Sequence, residues 1–541
     1  MKMKLYKIVL FAACALPVGV HAQSLEDGKK MFMYERYNSA RQIFADLTSH
    51  NANDPAAWYW LIRTDAELKD SAAARKHRQE VPAAIVSNSL IQVTDGFLAL
   101  ETGDSVTAQK DFQSAIGTQR KKDPEILEAV AESNIASVKG NLQYAINLLQ
   151  EAAKKDKKNP ALYCAIGDAY RMMYNGSEAF RAYQQAMDID KNYADAYYKA
   201  GKIYQSQNNV DIFTEYYNKA IAADAHFAPV YYQLYYYYYY HDLTKAAENL
   251  NNFIANSDKD IQNNYRLMDM YYLQKKYPEA IAMGKQIEQQ TPNDIKPRMY
   301  KLFAYSYFDT NQYADAETNM KKYLSLEQDS NLIAKDFDLM ARVCDKTNRQ
   351  DEAADWYSKA FAREKDSTHL LEYAKKLAAT YTKEKNYHEQ AYWLGKVYQL
   401  NKAATNVDLF YWGVAAYKAK EYANADSVFA RYTTKYPDQV FGYYWRARSN
   451  AAIDTAMETG IAIPHYQKMI EVIGKDTANT NNRKWLIQAY GYLAAYKANK
   501  EKQYNEALDY YERVLALDPK NEEAEKYKEV LEKMIEAKQV N

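Results

Sequence analysis

Tyr163, Tyr197 and Tyr231 stand thirty-four residues apart, and the residues around each recur in the same order. The unit is complete in residues 160–191. Tyr163, Ile166 and Tyr170 fall three and four residues apart and share one helix face, with Gly167 beside them. Ala179, Tyr183 and Ala186 repeat that spacing on a second segment. Asn175-Gly176 between the two segments supplies a turn, since such residues tolerate positive φ. Gly167 and Ala179 are small where two helices must approach to roughly 8–10 Å. The pattern predicts an antiparallel helix pair, and no group in it is needed for catalysis.

A small residue opening the second segment carries the phase along the chain, at Ala40, Ala74, Ala108, Ala145, Ala179, Phe213, Ala247, Ala280, Ala316, Ala353, Ala391 and Ala425. The intervals run from 33 to 38 residues. Phe213 replaces the small residue and is expected to push its two helices apart. A degenerate unit near residues 463–470 and a clearer one marked by Ala507, Tyr511 and Pro519 bring the total to about fourteen. The pattern closely resembles the tetratricopeptide repeat (TPR), over nearly the whole chain after Ala22. That resemblance implies an all-α fold: a right-handed α-α superhelical TPR solenoid of about 14 helix pairs with a C-terminal capping helix. It replaces the three or four globular domains that 541 residues would otherwise suggest.

Composition agrees with helices, since only 16 Gly and 12 Pro interrupt a chain that carries 53 Tyr. The longer intervals between Ala280 and Ala391 are expected to place extra residues in inter-helix turns. Two polar stretches, 401–406 and 474–482, are hinge candidates. They suggest a signal peptide over 1–22, an N-terminal and central array over 23–400, a C-terminal array over 401–520 and a polar cap over 521–541. Cys164 and Cys344 lie five repeats apart and cannot pair in a solenoid whose repeats touch only their neighbours. Cys344 is expected inside and Cys164 toward the groove.

Residues 1–22 hold Lys2, Lys4 and Lys7, an apolar run and Val20-His21-Ala22, which predicts a secretory signal cleaved after Ala22. Lipid attachment at Cys14 is the rival reading. No later stretch reaches the roughly 18 apolar residues of a membrane span. A periplasmic protein follows, with peripheral outer-membrane association as a further expectation. The leader and the richness in Tyr, Asn and Lys resemble envelope TPR proteins of the Bacteroidetes type. The chain without its three leader lysines carries 67 basic and 70 acidic residues, a net charge of −3, with both signs interleaved. Nucleic acid is therefore not an expected ligand.

No Gly-rich phosphate loop, GxSxG, HExxH or CxxC occurs, and the eight histidines are scattered. Catalytic residues, metal ligands and cofactors are not expected. The unusual component is tyrosine. In TPR proteins the first helix of each pair lines the concave face. The resemblance points Tyr198, Tyr232, Tyr236, Tyr239, Tyr265, Tyr272 and Tyr305 into the groove of repeats six to nine, with Lys202, Lys301 and Arg342 beside them. Tyr231, Leu234, Tyr235 and Tyr238 are expected inside. Such rings are either ordinary packing or a binding strip, because tyrosine offers contact area and a hydroxyl at low entropic cost. The Lys/Asn/Arg clamp of TPR chaperone cofactors is absent, since its places hold Cys164, Asp168, Tyr198, Lys202, Tyr232 and Tyr236. The resemblance implies a non-catalytic scaffold or adaptor that holds protein or peptide partners in the cell envelope, in an assembly or secretion complex. Alternatives are a glycan-binding module, with Asp168 and Asp269 near the rings, and a structural homo-oligomer.

Overall fold

Short three-residue turns set the architecture. In eleven of the helix pairs the first helix ends on one residue in the left-handed region, such as Lys69 (φ 59°), Tyr174 (φ 59°) or Asn208 (φ 55°). The next residue then caps the second helix: Asp70, Asp104, Asn175, Asn209 and Asn386 each accept a backbone N–H from its first turn. At Tyr174 the reversed chain is fastened by Tyr174 N–H to Arg171 O (3.0 Å) and Asn175 N–H to Tyr170 O (2.9 Å). The expected roles therefore shift by one residue. Tyr174 takes the positive φ, Asn175 caps, and Gly176 is the first helical residue.

The computed structural model describes residues 23–117 and 122–540. The expected leader, its cleavage site and Cys14 lie outside them. Among the described residues there are 29 α-helices and no strand, arranged as fourteen antiparallel pairs followed by Glu522–Val540. The fold is an all-α tandem array of TPR-type pairs with a capping helix. Two compact units divide it, one ending at Pro292 with pairs one to eight, the other beginning at Asn293 with pairs nine to fourteen and the cap. The joint expected at residues 401–406 falls inside the second unit.

Within a pair the helices lock through a residue without a side chain. Gly167 on Pro160–Met172 lies directly under the Tyr183 ring of Gly176–Ile189, and a Cβ there would overlap it. The same arrangement, sixteen residues apart, joins Gly28 to Phe44, Gly96 to Phe112, Gly201 to Tyr217 and Gly413 to Phe429. The small markers on the second helices are almost fully buried, including Ala179, Ala316 and Ala425 at 0% exposure. One marker moves: Ala246 is the buried residue of pair seven and Ala247 is half-buried.

Phe213 does not separate its pair. Its ring is buried and packs on Tyr237 of the next pair, at 5.0 Å between centroids. Gly201 meanwhile keeps the pair as close as its neighbour. The longer intervals do not lengthen the turns inside pairs. Their extra residues connect one pair to the next, as between Leu326 and Ala334, or extend Ser367–Glu384 to 18 residues. Cys344 is buried as expected, and Cys164 is buried as well, at 2% exposure against Ala196 and Ala200, not open to the groove.

Gly201→Ala should separate steric lock from helix propensity. The new methyl would stand 2.6 Å from the Tyr217 ring. We expect a loss of about 1–3 kcal/mol, read as weaker hydrogen-exchange protection across residues 194–223. Gly491→Ala, also inside a helix but with nothing within 4 Å of the added carbon, should instead gain about 0.5–1 kcal/mol.

Candidate functional site

The first helices of the first unit place charged side chains in a shared, poorly hydrated space. Lys199, on Ala194–Ser206, sits 2.7 Å from Asp168 of the preceding pair and 2.7 Å from Asp195 one turn back. Tyr183 donates to the other Asp168 oxygen at 2.8 Å. Burial alone would lower the Lys199 pKa, and the two carboxylates more than reverse this, so the lysine stays charged. The network ties pair five to pair six. Burial pushes the Cys164 thiol well up, which makes it a poor nucleophile.

Glu128 and Glu132 stand one turn apart on Pro124–Ala136. Loss of water raises both, and the Glu132 charge adds to the effect on Glu128, which is pushed up to about 8. Arg63, on Pro55–Glu67, is only 4% exposed. Its guanidinium lies 4.8 Å from the Phe97 ring centroid and 3.8 Å from Glu67. Its Nε and Nη1, like the nearby Tyr59 hydroxyl, meet no acceptor among the described residues.

The first helix pair, Leu25–Met33 with Tyr37–His50, returns to pairs six to eight. Tyr34 packs on Phe227 at 5.7 Å and donates its hydroxyl proton to Asp224. Asp258, between Leu243–Asn256 and Ile261–Leu273, accepts the backbone N–H groups of Asn38 (2.8 Å) and Ser39 (3.2 Å).

These contacts decide where the expected groove residues stand. Tyr198 is buried, not a groove ring: it packs against Tyr217 (6.0 Å) and Phe227 (5.4 Å), in one apolar cluster with Tyr34. Lys202 lies over the Tyr198 ring at 5.3 Å, and Glu35 of the first pair is among the charges that act on it. Tyr232 is half-buried against Phe253 (5.1 Å) and beneath Arg266 (5.4 Å). Tyr239 donates to Asp269. Tyr265 is half-buried, and so is Tyr272, beside Tyr277 at 5.9 Å. Tyr236 alone of the set stands well out, 58% exposed, with Tyr240 beside it at 71%. Tyr305 belongs to the second unit and donates to Lys335 O at 2.9 Å. Lys301 and Arg342 are matched by Asp336 (2.6 Å) and Asp338 (3.0 Å).

The second unit holds an aromatic ladder that the sequence reading passed over. Tyr411 and Phe410 on Asn406–Lys418, Phe441 and Tyr444 on Val440–Ile453, and Trp485 on Thr480–Tyr496 form one file across three successive first helices. Neighbouring rings are 5.6, 5.7, 5.1 and 4.9 Å apart. Tyr411 and Phe441 are exposed. Arg448 lies beside the file, 5.6 Å from the Tyr444 ring and 5.0 Å from Trp445, and among the described residues no carboxylate pairs with it. The signal was present as paired aromatics, Phe410-Tyr411 and Tyr444-Trp445, on consecutive first helices. No group of three or more metal-binding side chains occurs among the described residues.

Comparison with known proteins agrees with the repeats. The TPR repeat profile matches residues 177–208, and the tetratricopeptide repeat profile matches 194–227 and 492–521. Neither describes an enzyme. The transcription factor tau 131 kDa subunit of Saccharomyces cerevisiae is 37% identical over 67 residues, 12% of this chain and 6% of that protein. Among solved structures, the C-terminal part of a TPR repeat-containing protein from Cytophaga hutchinsonii is 28% identical, covering 48% of this chain and 97% of that one at a TM-score of 0.27. A tetratricopeptide repeat protein from Parabacteroides merdae is 17% identical, covering 47% and 98% at a TM-score of 0.29.

The raised Glu128 carries a pH signature. Its ordinary value is 4.5, so between that and about 8 the folded chain holds a proton that the unfolded chain has lost. That contribution is full below the unfolded value and disappears as pH rises through the folded one. Glu128→Gln should remove the loss. We expect its melting temperature to pull ahead of wild type by about 2–4 °C between pH 5 and pH 8 in scanning calorimetry.

Proposed function

We propose that the chain is a non-catalytic scaffold that holds a protein or peptide partner across successive repeats. The observation that carries this reading is the ring file from Tyr411 to Trp485, since rings packed edge to edge over three helices, with Tyr411 and Phe441 open to solvent, offer one contact surface. Preformed helices spare the receptor any ordering entropy, and Arg448, bonded to the Tyr444 hydroxyl but to no carboxylate among the described residues, favours acidic groups in the partner. Tyr236 and Tyr240 form a second, smaller exposed pair in the first unit.

The cell envelope is the proposed location, and an assembly or secretion complex the proposed setting. What supports this is the leader-like composition of residues 1–22. Among the described residues no helix is long and apolar enough to cross a membrane. Mass spectrometry of the mature N-terminus in fractionated cells tests it, with Gln23 expected first and a lipidated Cys14 as the opposing result.

A benzoylphenylalanine cross-linker at Tyr411 in the native cells should yield discrete protein adducts. Phe441→Ala with Trp485→Ala should abolish them, while Tyr411→Ala alone shifts stability by no more than about 0.5 kcal/mol. Adducts that survive these changes would reject the ladder as the contact. Binding on a glycan array, or adducts formed only with a second copy, would favour the sugar or oligomer readings.

A further inference from the structure

The inner face of the first unit is covered by the chain's own first helix pair. Three features make that contact separable from the repeat stack. The second helix of the pair, Tyr37–His50, has no cap of its own, because the Arg36 side chain at its N-terminus caps none of its backbone N–H groups. Asp258, some 220 residues away, does the capping: it accepts from Asn38 N–H, Ser39 N–H and Ser39 Oγ, with Arg36 Nε at 3.5 Å. The apolar part is also compact. Tyr34 is 2% exposed, seated with Met31 and Met33 among Ala194, Tyr198 and Phe227, and its hydroxyl and Lys30 both reach Asp224. Finally, the contact is made by the turn and helix start of the first pair, whose helix-to-helix packing is with itself and with pair two.

We propose that the first helix pair is a latch, docked by Tyr34 and by the Asp258 cap, that opens to admit large ligands to the inner face of the first unit. The latch buries Tyr198 in the cluster that holds Tyr34, and the Glu35 charge acts on Lys202. Release uncovers both, together with the Phe227 ring and the free face of Asp258. Closed, the face admits water and small solutes only. The proposal is independent of the ladder in the second unit, and each can fail alone.

Size-graded thiol labelling of the full chain tests it. Lys202→Cys places a reactive group on the covered face, while the two native cysteines are buried; peptide mapping confirms the labelled position. The probes are N-ethylmaleimide and a long polyethylene-glycol maleimide. A latch open for about 0.1–10% of the time slows the long reagent by at least about tenfold relative to the open state. We expect Tyr34→Phe with Asp258→Ala to speed the long reagent at least about tenfold and to change N-ethylmaleimide less than about twofold. Ser39→Cys with Asp258→Cys, oxidised, should block the long reagent and release it on reduction. Equal rates for the two reagents in the parent, or a locked form that labels as fast as the reduced one, would overturn the proposal. If the paired substitution perturbs helix content by circular dichroism, the disulfide form decides.

Discussion

Five of the pairs rest on one close approach, a glycine beneath an aromatic ring on the partner helix. Where Gly167 meets Tyr183 or Gly413 meets Phe429, one added carbon would overlap the ring. Packing at this density tolerates no such excess, so the spacing of sixteen residues between the two partners becomes fixed. The turn between them must then be short, and a left-handed residue followed by a capping side chain is the shortest reversal available. Helices of 13 and 14 residues recur for the same reason. With lengths held, every first helix meets the next in a similar register, and the side chains at its free face line up from repeat to repeat.

That chain of constraint explains what could be read from the sequence. Small residues under rings leave a period, so the pair count, the capping helix and the buried marker alanines other than that of pair seven were legible. Phase slipped at one place, Ala246 against Ala247, where the run from Tyr235 to Tyr240 obscures the helix end and the turn lacks the usual left-handed residue. Phe213 misled for a different reason. A large residue at a small position need not force its own helices apart when its ring can turn to a neighbour such as Tyr237. The return of Tyr34 to Asp224 and of Ser39 to Asp258 could not be read, because contacts separated by 190 and 219 residues recur nowhere else and leave no period.

Tyrosine content misdirected the search for a site more than it helped. Many of these rings serve packing, and several spend the hydroxyl on a fixed acceptor: Tyr183 on Asp168, Tyr217 on Gln205 at 2.6 Å, Tyr357 on Asp345 at 2.6 Å. A phenylalanine would fill the same volume but would leave those acceptors without a donor near the helix surface. Groove position in the TPR pattern thus marks a place in the fold and not exposure. Tyr198 occupies such a place and is covered, whereas Tyr411 and Phe441 were singled out by no pattern and are open.

The two inner faces differ in what they hold. The second unit shows rings, with the Arg448 guanidinium beside them. The first shows charges held away from bulk water, among them Arg63, Glu128, Glu132 and Lys199, and its first helix pair returns to pairs six to eight. Closing that pair onto pairs six to eight costs less than its sequence separation suggests. Loop-closure entropy grows only with the logarithm of length, and here the intervening chain is already ordered by repeat stacking. What remains is the freedom of one pair that already packs on pair two through Phe44, Trp58, Leu61 and Ile62. A few side chains, Tyr34 and Asp258 foremost, are enough to offset it, so the cover can be strengthened or weakened without altering a single repeat.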